Sequence, residues 1–152
     1  MIHVLRTDSN HPDFVALVAQ LDAYLAKTDG EEHAFYHQFN KIDQLKQVVL
    51  VYENDQAIAC GAIKEFDNDA MEVKRMYTVP NGRGKGAATQ VLAELESWAS
   101  ELGYSKCVLE TGKRQAEAIG LYKKNNYIPI PNYGQYEGMD NSVCFEKAMK
   151  AS

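Results

Sequence analysis

The sequence predicts an α/β (α+β) domain, with one mixed, mostly antiparallel central sheet and helices on both faces. Three observations carry this. Residues Gln47 to Val79 hold three β-rich runs separated by short polar turns, which predicts strands paired antiparallel. A glycine-rich turn, Gly82 to Gly86, then leads into an amphipathic helix pattern. Another β run follows that helix, and a strand reached through a crossover helix runs parallel to the strand before it.

Taken in order, Ile2 to Arg6 reads as a short strand. Asp8 or Ser9 offers a helix cap, and Pro12 suits a first helical turn. Phe14, Leu17, Val18, Leu21, Tyr24 and Leu25 recur at helical spacing, which predicts one buried face, and Thr28-Asp29-Gly30 ends the helix. A short second helix is expected around Glu32 to Phe39, then a loop. Gln47 to Tyr52, Ala57 to Glu65 and Met71 to Val79 are the three strands, with turns at Glu53-Asn54-Asp55 and Asp67-Asn68-Asp69. Ala87, Val91, Leu92, Leu95, Trp98, Ala99 and Leu102 mark a helix that Gly103 closes. Lys106 to Glu110 is a strand broken by Thr111-Gly112, and Gln115 to Lys124 a short helix with Ala118, Leu121 and Tyr122 inward. Tyr127 to Ile130 is extended, its prolines 129 and 131 confining it to an edge, and a last strand falls near Ser142 to Met149.

At 152 residues this is expected to be a single domain over 1–152 with a real core. The 45% apolar and 24% charged fractions suit a soluble globular protein, and the net charge of −5 argues against a nucleic-acid or anionic-membrane partner. No apolar run approaches the ~20 residues of a membrane span, and the start lacks a signal-peptide pattern. Cys60, Cys107 and Cys144 are scattered over strand-like runs, which favours reduced thiols in the cytoplasm over disulfides or a metal site. His33 and His37 have a metal-compatible i, i+4 spacing, but no third ligand accompanies them, so no metal is expected.

The glycine turn carries the chemistry. Gly82, Gly84 and Gly86 alternate with Asn81, Arg83 and Lys85. Glycine permits unusual backbone angles and lets a ligand approach the main chain. The first N–H groups of a helix lack internal partners and sit at the positive end of its dipole. Such a turn attracts phosphate, and Arg83 and Lys85 add full charges. The nucleotide P-loop pattern fails, because Lys85 precedes Gly86 rather than following it. The dinucleotide fingerprint matches Gly82, Gly84 and Ala87, with Glu110 ending the next strand, but antiparallel hairpins come first and too little chain remains for a second nucleotide half. A third pattern, R/Q-x-x-G-x-G/A, is met by Arg83, Gly86 and Ala88.

With that pattern come the preceding strand Met-Glu-Val-Lys-Arg-Met-Tyr-Thr-Val-Pro, the strand Cys-Val-Leu-Glu-Thr-Gly, and Ala-Ile-Gly-Leu-Tyr-Lys-Lys-Asn-Asn-Tyr at 118–127. Together, at this spacing, they resemble the GNAT superfamily of N-acetyltransferases over nearly the whole chain, and so imply its acyl-CoA N-acyltransferase fold. Two departures stand out: Gln115 replaces a frequent Asn, and Asn126-Tyr127 replaces Gly-Phe.

The resemblance implies that acetyl-CoA lies where the loop-preceding strand and the next parallel strand splay apart. Main-chain groups of Met76, Tyr77 and Val79 would pair with the pantetheine arm, and Arg83, Gly84, Lys85, Gly86, Ala87 and Ala88 would hold the pyrophosphate, with Gln115 and Tyr122 near the thiol end. Tyr122 is the implied general acid for the departing thiolate, or else a core aromatic. An amide at Met76 or Tyr77 would stabilise the oxyanion. Glu72 is the candidate base, or else an exposed strand residue beside the acidic turn. Tyr36 and Phe39 are candidates to roof the acceptor site. Arg75 either binds an acceptor carboxylate or pairs with a neighbouring acid, and Tyr133 and Tyr136 either wall the acceptor site or close the core. The implied reaction is acetyl transfer to a primary amine of a small molecule or peptide; the other reading is a non-catalytic module that binds coenzyme A for sensing or assembly. Among proteins of this resemblance homodimers are common.

Overall fold

The computed structural model of the chain describes residues 1–29 and 45–149. Seven strands form one sheet: β1 (Ile2–Thr7), β2 (Gln47–Glu53), β3 (Gln56–Glu65), β4 (Ala70–Thr78), β5 (Lys106–Gly112), β6 (Ile128–Ile130) and β7 (Ser142–Ala148), in the order β1-β2-β3-β4-β5-β7-β6. Among the described residues three helices join them: α1 (Pro12–Asp29), α2 (Ala87–Glu101) and α3 (Ala116–Lys124). β4 and β5 are parallel, and the other pairings among the described residues are antiparallel, as the turn and crossover lengths dictate.

Alternation along the strands decides which helix covers which face. Val48, Leu50, Cys60 and Ala62 point to one side and pack on Phe14, Leu17 and Val18 of α1. Val49, Val51, Ile63, Met71 and Val73 point to the other and pack on Val91, Leu92 and Leu95 of α2. Tyr122 of α3 joins this second cluster through ring contacts with Tyr127 and Phe145 at 5.8 and 6.2 Å. Arg6 ties the edge strand to α2: its guanidinium lies 4.8 Å from the Trp98 ring and binds Glu94 at 2.6 Å and Glu101 at 2.7 Å.

Most expected elements are found within a residue or two, and the exceptions have local causes. The β2–β3 turn is a two-residue hairpin in which Asn54 and Asp55 take φ of 51° and 69°, side chains that tolerate this region. Neither Asp8 nor Ser9 caps α1. Asp8 accepts from the Asn10 N–H, Ser9 Oγ accepts from the Leu45 N–H, and the Asp13 N–H is taken by His11 Nδ1. Tyr24 is 38% exposed and Leu25 half-buried, both outside the cluster that α1 forms on β2 and β3. Leu102 falls one residue beyond α2 and is exposed. Thr111 and Gly112 continue β5 instead of breaking it, since β7 supplies Val143 and Ser142 as register partners. The helix expected at Glu32 to Phe39 lies outside the described residues.

The end of α3 explains the Asn126-Tyr127 departure. Asn126 has φ of 73°, a conformation glycine usually supplies and asparagine tolerates. Its N–H donates to the Lys123 carbonyl and the Tyr127 N–H to the Tyr122 carbonyl at 2.9 Å, the bond pattern of a Schellman cap. The pair thus performs the geometric task of Gly-Phe and anchors the turn that carries Tyr122.

Candidate active site

The site begins as a fault in the β3–β4 ladder. Lys74 pairs with Ala62 and Tyr77 with Cys60, so Arg75 and Met76 together oppose Gly61. This is a β-bulge, and Arg75 absorbs it at φ of 62°. Gly61 is required there, because a Cβ would stand 2.5 Å from Met76 Sδ and 2.6 Å from Val91 Cγ1. The Cys60 thiol donates to the Arg75 carbonyl at 3.3 Å, and burial pushes its pKa up to about 12, so it remains a donor. Bulges bend the strand that carries them. β4 is in register with β5 only from Ala70 to Glu72, opposite Lys106 to Val108; beyond that the two strands part.

The glycine turn lies at the open end of this wedge. Pro80–Gly82 forms a short 3₁₀ turn in which Gly82 packs on Ile58, and Gly84 and Gly86 follow with φ of 79° and 78°. At both of these, a Cβ would meet nothing within 4 Å, so conformation rather than crowding demands glycine and the loop faces open space. Gly86 caps α2, whose first N–H groups have no earlier carbonyl within the helix.

A cavity of about 480 Å³ fills the wedge. β4 contributes Glu72, Arg75, Met76 and Tyr77; the loop and α2 contribute Arg83, Gly84, Gly86, Ala87 and Ala88; α3 and its cap contribute Gln115 and Tyr122. These eleven positions, all singled out from the sequence, meet at one cleft. Of the expected cofactor residues, Lys85 and Val79 do not. Lys85 turns away to Glu53 Oε1 at 2.6 Å, and Val79 gives its N–H to the Ile58 carbonyl while its own carbonyl accepts from Gly82. Both main-chain groups of Val79 are therefore engaged by the sheet and the turn, and Val79 is not among the residues that line the cleft. Tyr133 stands behind the cleft wall and donates its hydroxyl to Glu72 Oε2 at 2.8 Å. Tyr136 lines the cleft, whereas Tyr36, Phe39, His33 and His37 lie outside the described residues.

Several cleft residues were not anticipated: Lys74, Glu110 of β5, and Leu21, Tyr24 and Leu25 of α1. Glu110 did leave a signal, an acid interrupting the apolar run Cys107-Val108-Leu109. It shares a face with Glu72, because Met71, Val73, Cys107 and Leu109 all point to the α2 side. Glu72 Oε1 is 3.7 Å from Lys74 Nζ. Burial, then the Glu110 charge, raises the Tyr122 phenol well above the ordinary tyrosine range, so it is a protonated donor at neutral pH. Burial and Glu72 do the same to Tyr133, and burial, Glu110 and Glu72 to Tyr136. At the mouth, Arg83 Nη1 reaches Glu117 Oε2 at 3.6 Å.

The donor set fits a long anionic thioester. Among the described residues, Gln115 Nε2 is buried without a hydrogen-bond partner, a donor aimed at nothing of the protein's own. An extended edge, a glycine-capped helix N-terminus and Arg83 complete a groove that suits a diphosphate and its arm. Among the described residues no group of three or more His, Cys, Asp or Glu is arranged to hold a metal, and no helix is long and apolar enough to cross a membrane.

Comparison with known proteins agrees with this geometry. An acyl-CoA N-acyltransferase, so described, from Klebsiella pneumoniae superposes with a TM-score of 0.81 at 28% identity, over 97% of both chains. A GNAT family acetyltransferase from Elizabethkingia anophelis, solved with acetyl-CoA bound, shares the fold with a TM-score of 0.67 at 16% identity over 97% of this chain and 98% of that one. In sequence, the chain is 39% identical to the uncharacterized N-acetyltransferase YjgM of Escherichia coli over 77% of this chain and 75% of the relative. It is 28% identical to the IAA acetyltransferase of Azospirillum brasilense over 89% and 90%. The model of the acetyltransferase (GNAT) family matches residues 14–127, which span the α1 core contacts, the bulge, the glycine turn and the α3 cap, and the chain belongs to that family.

Proposed function

We propose that this acetyltransferase moves an acetyl group from acetyl-CoA to a primary amine of a small molecule or peptide, by direct attack of the amine nitrogen on the thioester. The observation that carries the reading is the open wedge between β4 and β5, with the capped start of α2 at one end and the Tyr122 phenol on its wall. Main-chain groups of Met76 and Tyr77 hold the pantetheine arm. The N–H groups from Gly84 to Ala88, with Arg83, hold the diphosphate, and Gln115 Nε2 donates to the bound co-substrate. Acetyl-CoA supplies the activated acetyl carbon.

An ordinary alkyl ammonium has a pKa of about 10.4, so freeing its lone pair at neutral pH costs about 4–5 kcal/mol. Glu72, directly or through water, takes that proton. Glu72 passes that proton to solvent. As the new N–C bond forms and the C–S bond breaks, it takes the second proton from nitrogen and releases it likewise, while Tyr122 gives its proton to sulfur and regains one from solvent. Amide and free thiol result, with one proton released overall.

The test is thiol release from acetyl-CoA across a panel of primary amines. Active amines are expected, and Tyr122→Phe is expected to lower kcat by roughly 10²–10⁴-fold while thermal stabilisation by coenzyme A persists. If no amine speeds thiol release and coenzyme A still binds, the protein is a binding module.

A further inference from the structure

The chain between β6 and β7, residues 131–141, folds over the face of the sheet that carries Glu72. Cys144 is in register with Glu110, so it lies on that face, and Tyr133, Tyr136 and Met139 pack on it. Glu72 itself is 9% exposed, and a buried carboxylate is costly unless it accepts hydrogen bonds. The Tyr133 hydroxyl supplies one, to Oε2 at 2.8 Å. Burial, then the Glu72 charge, keeps that phenol protonated at neutral pH, which makes it the donor. Lys74 Nζ stands 3.7 Å from the other oxygen, Oε1, and Lys64 opposes Glu72 in register on β3.

The loop holds its tyrosine firmly. Asn132 Nδ2 donates to the Met139 and Ser142 carbonyls, at 3.0 and 3.1 Å, and ties its two ends together. Within it, the Tyr136 N–H donates to the Tyr133 carbonyl and the Met139 N–H to the Tyr136 carbonyl. The Tyr133 ring meets Phe66 edge-on at 4.7 Å and Tyr136 at 5.8 Å. Yet Tyr133 does not line the cleft. It reaches the site through Glu72.

We propose that Tyr133 is a positioning residue for acetyl transfer: its phenol pins Oε2 of Glu72 and so aims the carboxylate at the acceptor amine. This rests on the acetyl-transfer reading with Glu72 as base. A carboxylate offers about four acceptor sites, so the bond from Tyr133 orients Glu72 and leaves sites for the ammonium proton. Tyr133 exchanges no proton with the amine; it supplies orientation.

The test is Tyr133→Phe, which keeps the ring and deletes one oxygen. With each primary amine that the wild type acetylates, kcat should fall roughly 10–100-fold. KM for acetyl-CoA should stay within about twofold. In a Glu72→Gln background the same substitution should change kcat by less than about twofold, because its target is gone. A tyrosine that only braces the fold would lower Tm and spare kcat, or cost the same factor in both backgrounds. Either result overturns the proposal. Coenzyme A stabilisation reports whether the variant folds. If it does not, Phe66→Ala decides, since Phe66 is 40% exposed, touches Tyr133 and lies outside the cleft. Its loss should lower kcat about threefold at unchanged KM, and an unchanged kcat overturns the proposal. Full activity in Glu72→Gln would overturn Glu72 as base and this proposal while acetyl transfer stands. No acetylation of any amine, with coenzyme A still bound, would overturn the acetyl-transfer reading and this one with it.

Discussion

Gly61→Ala probes whether the bulge is built as described. The added methyl would lie 2.5 Å from Met76 Sδ, 2.6 Å from Val91 Cγ1 and 3.1 Å from Leu95 Cδ1, all closer than van der Waals contact allows. Met76 is long, flexible and able to swing away. Val91 is β-branched, fully buried on a helix and has little freedom. Overpacking of this kind costs about 1–3 kcal/mol. Gly61 has no positive φ, so alanine is conformationally permitted and the unfolded chain's lost entropy returns about 0.4–1 kcal/mol. A net loss of about 1–2 kcal/mol corresponds to a fall in Tm of about 2–8 °C for a chain of this size. Because relief requires Met76 to move into the cleft, KM for acetyl-CoA should rise as well. In a Val91→Ala background the same substitution should cost measurably less, a coupling that reports contact between the two sites. Thermal unfolding of the four proteins of this cycle, with acetyl-CoA titrations, is the assay. An unchanged or raised Tm for Gly61→Ala, or strict additivity with Val91→Ala, would refute the packing across the bulge.

Asn126→Ala should destabilise by about 1–2 kcal/mol, since alanine resists φ of 73°, whereas Asn126→Gly should be near neutral; urea unfolding separates them. Arg83→Gln should weaken coenzyme A binding by roughly three- to tenfold, with a shallower salt dependence, and Glu117→Gln should tighten it by freeing Arg83; calorimetry at two ionic strengths measures both. The buried thiols make the fold alkali-sensitive. Burial raises Cys60 from 9.0 to about 12, so above pH 9 the unfolded chain loses a proton the folded one keeps. Stability from this group is whole below pH 9 and falls by up to about 1.4 kcal/mol per pH unit until about pH 12, and Cys60→Ala should flatten that slope in unfolding measured from pH 8 to 11.

The sheet, its helices and the glycine turn were legible because their signals are local. The short apolar runs of β2 and β3, the i, i+3, i+4 pattern in α2 and the left-handed glycines each report a conformation within a few residues. Tyr24 and Leu25 fit the helical pattern of α1 as well as Leu17 does, but periodicity cannot say where a helix face leaves the core and borders a cleft instead. Lys85 looked equivalent to Arg83 in alternation. Only the fold brings Glu53 of the β2–β3 hairpin within 2.6 Å and draws the lysine away.

The bulge was hidden for a deeper reason. No residue in Lys74-Arg75-Met76 announces a left-handed backbone, and arginine is not a residue that seeks one. The strain comes from elsewhere. Gly61 leaves room for Met76 alone, Val91 blocks anything larger on the other strand, and the Cys60 thiol takes the carbonyl that the distortion turns inward. Three ordinary residues, two neighbours on β3 and one on α2, thus force a fourth into an uncommon conformation. That conformation parts β4 from β5 and moves Arg75 onto the α1 face. The opening for a thioester and the Arg75–Asp22 contact are consequences of one misfit between two strands. A substitution that restored regular pairing at Gly61 should therefore close the cleft and turn Arg75 off the α1 face together.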